Sequence, residues 1–227
     1  MNQSFTITAI DFTTLVPVGS PAAVASATAT TVNMTSSTGQ TSAVWLPAKQ
    51  TVGNGFTTQF SFQITAGSAS TLADGFAFVI QNSSSGTSTL GTTGAGGYIG
   101  YQGIPNSLAI EFDTFHNNWD PNANHVAIQS NGMAANTADH NAATLHVVNS
   151  TLATTLSNGA VHAVTITYDG TSHNFVVMLD QTQILTTPVD LATLGLDPGG
   201  LALVGFTAAT GSGSENTIIS NWSFSAN

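Results

Sequence analysis

Residues 106–128 read NSLAIEFDTFHNNWDPNANHVAI. Between Glu111 and His125 lie three carboxylates, four side-chain amides and two histidines, in a chain of 227 residues with only 11 acidic ones. The first half of the stretch alternates as a strand does, and side chains alternate across a strand. A strand over 107–115 places Leu108, Ile110, Phe112 and Thr114 on one face. It places Glu111, Asp113 and Phe115 on the other. Two acids on one face repel each other, and no Lys or Arg lies nearby to pair with them. A divalent cation is the compensator that this pattern calls for. Asn117 and Asn118 add amide oxygens, Asp120 a third carboxylate on a loop stiffened by Pro121, and His125 an imidazole. Calcium takes carboxylate, amide and carbonyl oxygens, whereas a mixed carboxylate and imidazole set suits a transition ion such as manganese. The stretch therefore offers ligands for two adjacent ions, with Asp113 and Asp120 able to bridge. Read alone, it is equally an acidic hairpin loop facing solvent.

The same period of two runs through most of the chain. Phe60, Phe62 and Ile64 alternate with polar residues; Phe76, Phe78 and Ile80 follow Ala73-Asp74-Gly75. TITYDG and FVVMLD flank a DGTSHN turn, and LALVGF and NWSFS are further strands. Only VDLATLG suggests a short helical turn. Many strands with Gly, Asn, Asp and Ser turns indicate a β-sandwich, and no linker or repeat divides it, so residues 1–227 are expected to form one domain.

Composition narrows the function. Charged residues make up 5 % of the chain against an ordinary level of about 25 %, and the net charge is −10 with Lys49 the single basic residue. Nucleic-acid binding relies on Lys and Arg against phosphate, so it is excluded, as is a basic patch for anionic membranes. No apolar run is long enough to span a bilayer. The absence of cysteine removes disulfides and thiolate chemistry. No basic n-region of a signal peptide follows Met1. Low charge with abundant Thr, Ser, Gly and Asn points to a secreted or cell-surface protein.

ADG at 73–75, GGYIG at 96–100, the 106–128 stretch and VGFTAATGSGSE at 204–215, in that order, resemble the legume (L-type) lectins, and NWSFS fits their closing strand. The resemblance spans nearly the whole chain and implies an all-β, concanavalin-like jelly-roll sandwich of antiparallel sheets. It implies that Glu111, Asp113, Asp120 and His125 hold a transition ion, Mn2+ in the family. It implies that Asp113, Asn117, Asp120 and the Phe115 carbonyl hold Ca2+. Asp74, preceded by a cis bond from Ala73, resembles the carboxylate that accepts from two sugar hydroxyls. Gly97 resembles the glycine whose N–H reaches the sugar, and Asn117 serves calcium and sugar together. Phe115 would present its ring to the sugar's apolar face, and Gly213 and Ser214 lie in the 209–215 loop that helps set specificity. The low charge resembles bacterial members of the family, often one module of a larger surface protein.

The expected function is therefore calcium- and manganese-dependent, non-enzymatic binding of glycans, galactose-type or mannose/glucose-type. Pairing as a homodimer is left open; relatives pair through the flat back sheet. Two other readings compete. A glycosidase on the same sandwich needs two carboxyl groups about 5–5.5 Å apart for retaining chemistry; here Phe115 ends the alternating pattern that Glu111 and Asp113 begin. A structural or adhesive domain would keep the metals without the sugar. Asp74-Gly75 is also an ordinary turn dipeptide, and ATGSGS an ordinary flexible loop. His116 is assigned to a solvated loop; His140, His146, His162 and His173 are assigned structural or exposed places. Asn2, Asn33, Asn82, Asn149 and Asn221 begin N-x-S/T sequons that a Ser/Thr-rich chain produces by chance.

Overall fold

Alternating apolar side chains commit most of the chain to strands, and the strands bury their apolar faces against each other. In the computed structural model, which describes residues 9–20 and 25–227, fifteen strands form: β1 (Val16–Ser20), β2 (Ser26–Ala27), β3 (Thr31–Thr35), β4 (Thr41–Trp45), β5 (Gln50–Thr51), β6 (Gly55–Ala66), β7 (Gly75–Gln81), β8 (Ser107–Asp113), β9 (His125–Ser130), β10 (Leu145–Asn149), β11 (Val161–Asp169), β12 (Asn174–Leu179), β13 (Thr182–Pro188), β14 (Leu201–Ala209) and β15 (Glu215–Ala226). The Asn2 sequon and the segment following Met1 lie outside the described residues.

The strands make two antiparallel sheets. An eight-stranded sheet runs β1-β4-β14-β7-β8-β9-β10, with β5 alongside β14; a seven-stranded sheet runs β13-β12-β11-β6-β15-β3-β2. This is the β-sandwich that the sequence pattern anticipates, in the antiparallel jelly-roll form that the family resemblance implies. The expected turn at VDLATLG is a short 3-10 helix, Leu191–Leu194, capped by the Asp190 side chain. β8 stops at Asp113, two residues short of the expected strand, because the Asp113 Oδ1 accepts the Phe115 N–H at 2.7 Å and turns the chain.

Aromatic rings fuse the two sheets. Phe60 and Phe62 of β6 reach across to Phe76, Phe112 and Phe206, with Phe60–Phe206 centroids 4.9 Å apart and Phe62–Phe76 centroids 5.0 Å apart. Such pairs add about 0.5–1.5 kcal/mol each beyond their buried area. The eight-stranded sheet is also covered on its other face. There Trp45, Ala77, Val79 and Ala109 pack under Ile99, Tyr101, Ile104 and Ala138, supplied by the loops around 99–104 and 138. Every residue of β7, β8 and β9 is consequently buried. Glu111 and Asp113 are thus carboxylates in a two-sided interior. No helix among the described residues is long and apolar enough to cross a membrane.

Candidate metal centre and binding pocket

Register places the acids. Asp113 stands between Gly75 of β7 and His125 of β9, and Glu111 stands between Ala77 and Ala127. Alanine on both sides leaves room beside Glu111. Its Oε2 accepts from the Tyr101 hydroxyl at 2.5 Å; its Oε1 accepts from Gln129 Nε2 at 2.9 Å and lies 2.7 Å from His140 Nε2. Beyond β8 the loop folds over the strand end. The Asn117 N–H donates to Asp120 Oδ2 at 2.7 Å, and the Asp120 N–H donates to the Asn117 carbonyl at 3.1 Å. Asn122 and Asn124 anchor the far side of the loop: their amides donate to the Ser150 and Thr154 carbonyls. His125 Nδ1 lies 3.0 Å from the Asn122 carbonyl, which only accepts. Nδ1 is therefore a donor here, and the ring's Nε2 edge turns toward Glu111 and His140.

Two sets of side chains converge so that one ligand atom from each lies within 4.8 Å of the others: Asp113, Asp120 and His125 in one, Glu111, His125 and His140 in the other. The four side chains expected at the transition ion are thus divided between two overlapping sets that share His125. The structure adds His140, which lies buried among them instead of in the structural or exposed place that sequence reading gave it. His140 is 15 residues beyond His125, across an irregular connection, and no periodic signal ties the two.

Electrostatics fits a cation here. Burial pushes Asp113 well above the ordinary aspartate range, reinforced by the charge of Glu111. Burial likewise raises Asp120 to about 6. Burial works against ionisation of Glu111 as well, but the hydrogen bonds from His125 and His140 outweigh it and hold that carboxyl low. The chain supplies no Lys or Arg: its only one, Lys49, pairs with Asp197 at 2.5 Å. The Asn117 Oδ1 is buried with no hydrogen-bond partner. A buried amide oxygen left unpaired beside carboxylates suits a hard, oxygen-seeking ion.

The residues expected to contact a sugar adjoin this centre. The Ala73–Asp74 peptide is cis. The Asp74 N–H donates to the Ala209 carbonyl and its own carbonyl accepts from the Thr114 N–H at 3.1 Å, so β14 and the β8 exit both hold it. Its Oδ2 accepts from the Gly211 N–H at 2.9 Å. Burial raises this carboxyl to about 6 against that hydrogen bond. The Gly96–Tyr98 turn closes over both side chains without space for any of its own. A Cβ on Gly96 would run into the Asp74 carboxylate, and one on Gly97 would lie 2.6 Å from the Asn117 Cγ. Phe115 is half-buried at the loop's start, and the rings of Tyr98 and Trp119 stack nearby at 6.2 Å.

Asp74, Gly97 and Asn117 are therefore in one cluster. Gly213 and Ser214 sit behind it. Ser214 is buried; its hydroxyl accepts from the Ala69 N–H at 2.7 Å, and its own N–H donates to the Thr71 carbonyl. Within the 209–215 loop that sequence reading placed at the pocket, Gly211 is the residue whose N–H bonds the Asp74 carboxylate.

Comparison with known proteins agrees with this architecture. The family described as legume lectin domain matches residues 16–227. The basic agglutinin of Psophocarpus tetragonolobus is 34% identical over 194 residues, covering 78% of this chain and 72% of that protein. A lectin-related protein of Cladrastis kentukea is 32% identical over 187 residues, covering 75% of this chain and 57% of its own length, so the chain spans little more than half of some relatives. The crystal structure of basic winged bean lectin with Tn-antigen superposes with a TM-score of 0.72 at 26% identity, over 96% of this chain and 95% of that one. These relatives are lectins and agglutinins, carbohydrate-binding proteins and not enzymes. The chain belongs to the legume lectin family.

Proposed function

We propose that this chain binds a neutral glycan, without chemistry, in a shallow pocket over Asp74, Gly97, Asn117 and Phe115, rimmed by the 209–215 loop. The observation that carries the reading is the closure of Gly96-Gly97 onto the Asp74 carboxylate and the Asn117 amide, with a side chain forbidden at either glycine. That closure leaves a fixed acceptor, an amide and backbone N–H groups at one spot. A sugar needs such groups, and fixing them beforehand lowers the ordering cost of binding. Asp113, Asn117, Asp120 and the Phe115 carbonyl would hold calcium. Glu111, Asp113, Asp120 and His125 would hold a transition ion, manganese in the first instance. The ions would supply charge compensation and a rigid support for the Asn117 side chain. Of the rim residues, Gly211 and Ser212 face the pocket mouth, and Gly213 and Ser214 brace them from behind. The winged bean relative solved with Tn-antigen supports a glycan as the ligand class.

The proposed place of action is outside the cell, supported by the low charge and the Ser/Thr-rich surface. Self-association through the seven-stranded sheet is a subsidiary proposal. Its outward residues Gln59, Ser61, Gln63, Ala163, Thr165 and Thr167 form an uncharged face.

The test is a glycan array run with calcium and manganese and repeated after EDTA. Binding that disappears with EDTA supports the reading and names the sugar. A protein that holds its metals and binds no glycan would overturn it in favour of a structural or adhesive domain.

A further inference from the structure

The positions of His125 and His140 exceed what one imidazole at a transition-ion site requires. The two Nε2 atoms are 3.3 Å apart, and Glu111 Oε1 lies 2.7 Å from His140 Nε2 and 3.4 Å from His125 Nε2. Asp120 Oδ1 is 3.7 Å from His140 Nε2. Metal–ligand bonds of about 2.0–2.2 Å set neighbouring ligand atoms ~3.0 Å apart at right angles and ~3.4 Å apart at tetrahedral angles. Two sides of this triangle, 3.3 and 3.4 Å, have the spacing of tetrahedral neighbours, and the third, 2.7 Å, is a little shorter.

Ring orientation gives the same answer. His125 is anchored through Nδ1 to the Asn122 carbonyl at 3.0 Å, which turns its Nε2 toward Glu111 and His140. One ligand atom from each of Glu111, His125 and His140 lies within 4.8 Å of the others, and all three side chains are buried. The His140 ring is also buried with nothing bonded to its Nδ1. Its polar contacts are therefore confined to the Nε2 side, toward the acids. The turn that carries it is built locally: the Asp139 carboxylate accepts the Asn141 N–H at 2.8 Å, and the Asp139 carbonyl accepts from Ala142 and Ala143. The exposed His146 ring lies behind at 4.5 Å between centroids.

We propose that His140 is a direct ligand of the transition ion, so that this site carries two imidazoles, His125 and His140, with Glu111, Asp113 and Asp120. The inference rests on the reading that these acids hold a transition ion, and it deepens that reading by fixing the kind of ion. Imidazole suits zinc, copper and nickel, whereas carboxylate, carbonyl and water suit manganese, magnesium and calcium. A second imidazole turns the site toward zinc-like ions.

The experiment loads metal-stripped protein with one equivalent of Cu2+ and counts coupled nitrogens by electron paramagnetic resonance, with zinc and manganese affinities measured by calorimetry. The wild type shows two imidazole nitrogens. His140→Gln shows one and loses zinc affinity at least tenfold, with a smaller loss for manganese. His146→Gln keeps two. One nitrogen in the wild type, unchanged zinc affinity in His140→Gln, or a nitrogen lost in His146→Gln overturns the assignment. If His140→Gln does not fold, the wild-type count decides by itself. Wild type that binds none of the three ions removes the transition-ion site and this inference together; bound metal with one nitrogen removes this inference alone.

Discussion

The two faces of β8 are equally dry and held in opposite ways. Phe112 is 0% exposed on the inner face, and Glu111 and Asp113 are each 1% exposed on the outer one. The inner face is self-sufficient: Phe112 stacks on Phe76 at 4.7 Å with planes 3° apart, and apolar burial is favourable wherever partners fit. The outer face is not. Buried carboxylates without a cation cost free energy, and this chain has no cation to give them. One strand therefore contains both a cause of the fold and a requirement for something outside the chain.

The largest effect that would sharpen this contrast is Phe112→Ala. It should destabilise by about 3–5 kcal/mol, equally with and without metal, in urea denaturation; a loss that depends on metal would break the contrast. Next comes Glu215, buried at the start of β15, where burial pushes its carboxyl to about 7 although Thr114 and Thr217 donate to it. The folded state then holds this proton more tightly than the unfolded chain does. Its contribution to stability is full below the ordinary glutamate value of 4.5 and is lost as pH rises through about 7. Glu215→Gln should remove that decline and gain roughly 3 kcal/mol over wild type at pH 8, read from denaturation midpoints at pH 5 and 8. An unchanged slope would show that burial here carries no such penalty.

Asp113→Asn tests the outer face directly. Metal at 100 times its Kd stabilises by about 2.7 kcal/mol. The variant should lose that shift between metal and EDTA while its metal-free midpoint holds or rises; a metal-free collapse would show the carboxylate to be structural in its own right. The smallest effect is expected at Lys49. Its pair with Asp197 is 32% exposed on one side and 43% on the other, and such pairs contribute about 0–1 kcal/mol. Lys49→Met should therefore move the midpoint by no more than that.

The same contrast separates what was legible in the sequence from what was not. The inner face was legible because Phe60, Phe62, Phe76, Phe78 and Phe112 repeat with period two, and a period is local information. Glu111, Asp113, Asp120 and His125 were legible because one short segment carries them all. His140, Tyr101 and Gln129 surround Glu111 from three other segments, and only the register of β8 with β9 and the covering loops brings them there. Within the 209–215 loop, that Ser214 turns inward was hidden for a similar reason. A loop rich in Gly and Ser carries no pattern that distinguishes its exposed side from its buried one, and the bonds to Ala69 and Thr71 decide it.

That bracing divides the rim into positions that can be rewritten and positions that cannot. A Cβ on Gly213 would lie 2.8 Å from that of Ala73, and Ser214 ties down the 69–71 segment. Between them and the Gly211 contact with Asp74, Ser212 alone is exposed. A library aimed at new ligand preferences belongs at Ser212, where every side chain meets open solvent and none unseats the frame beneath.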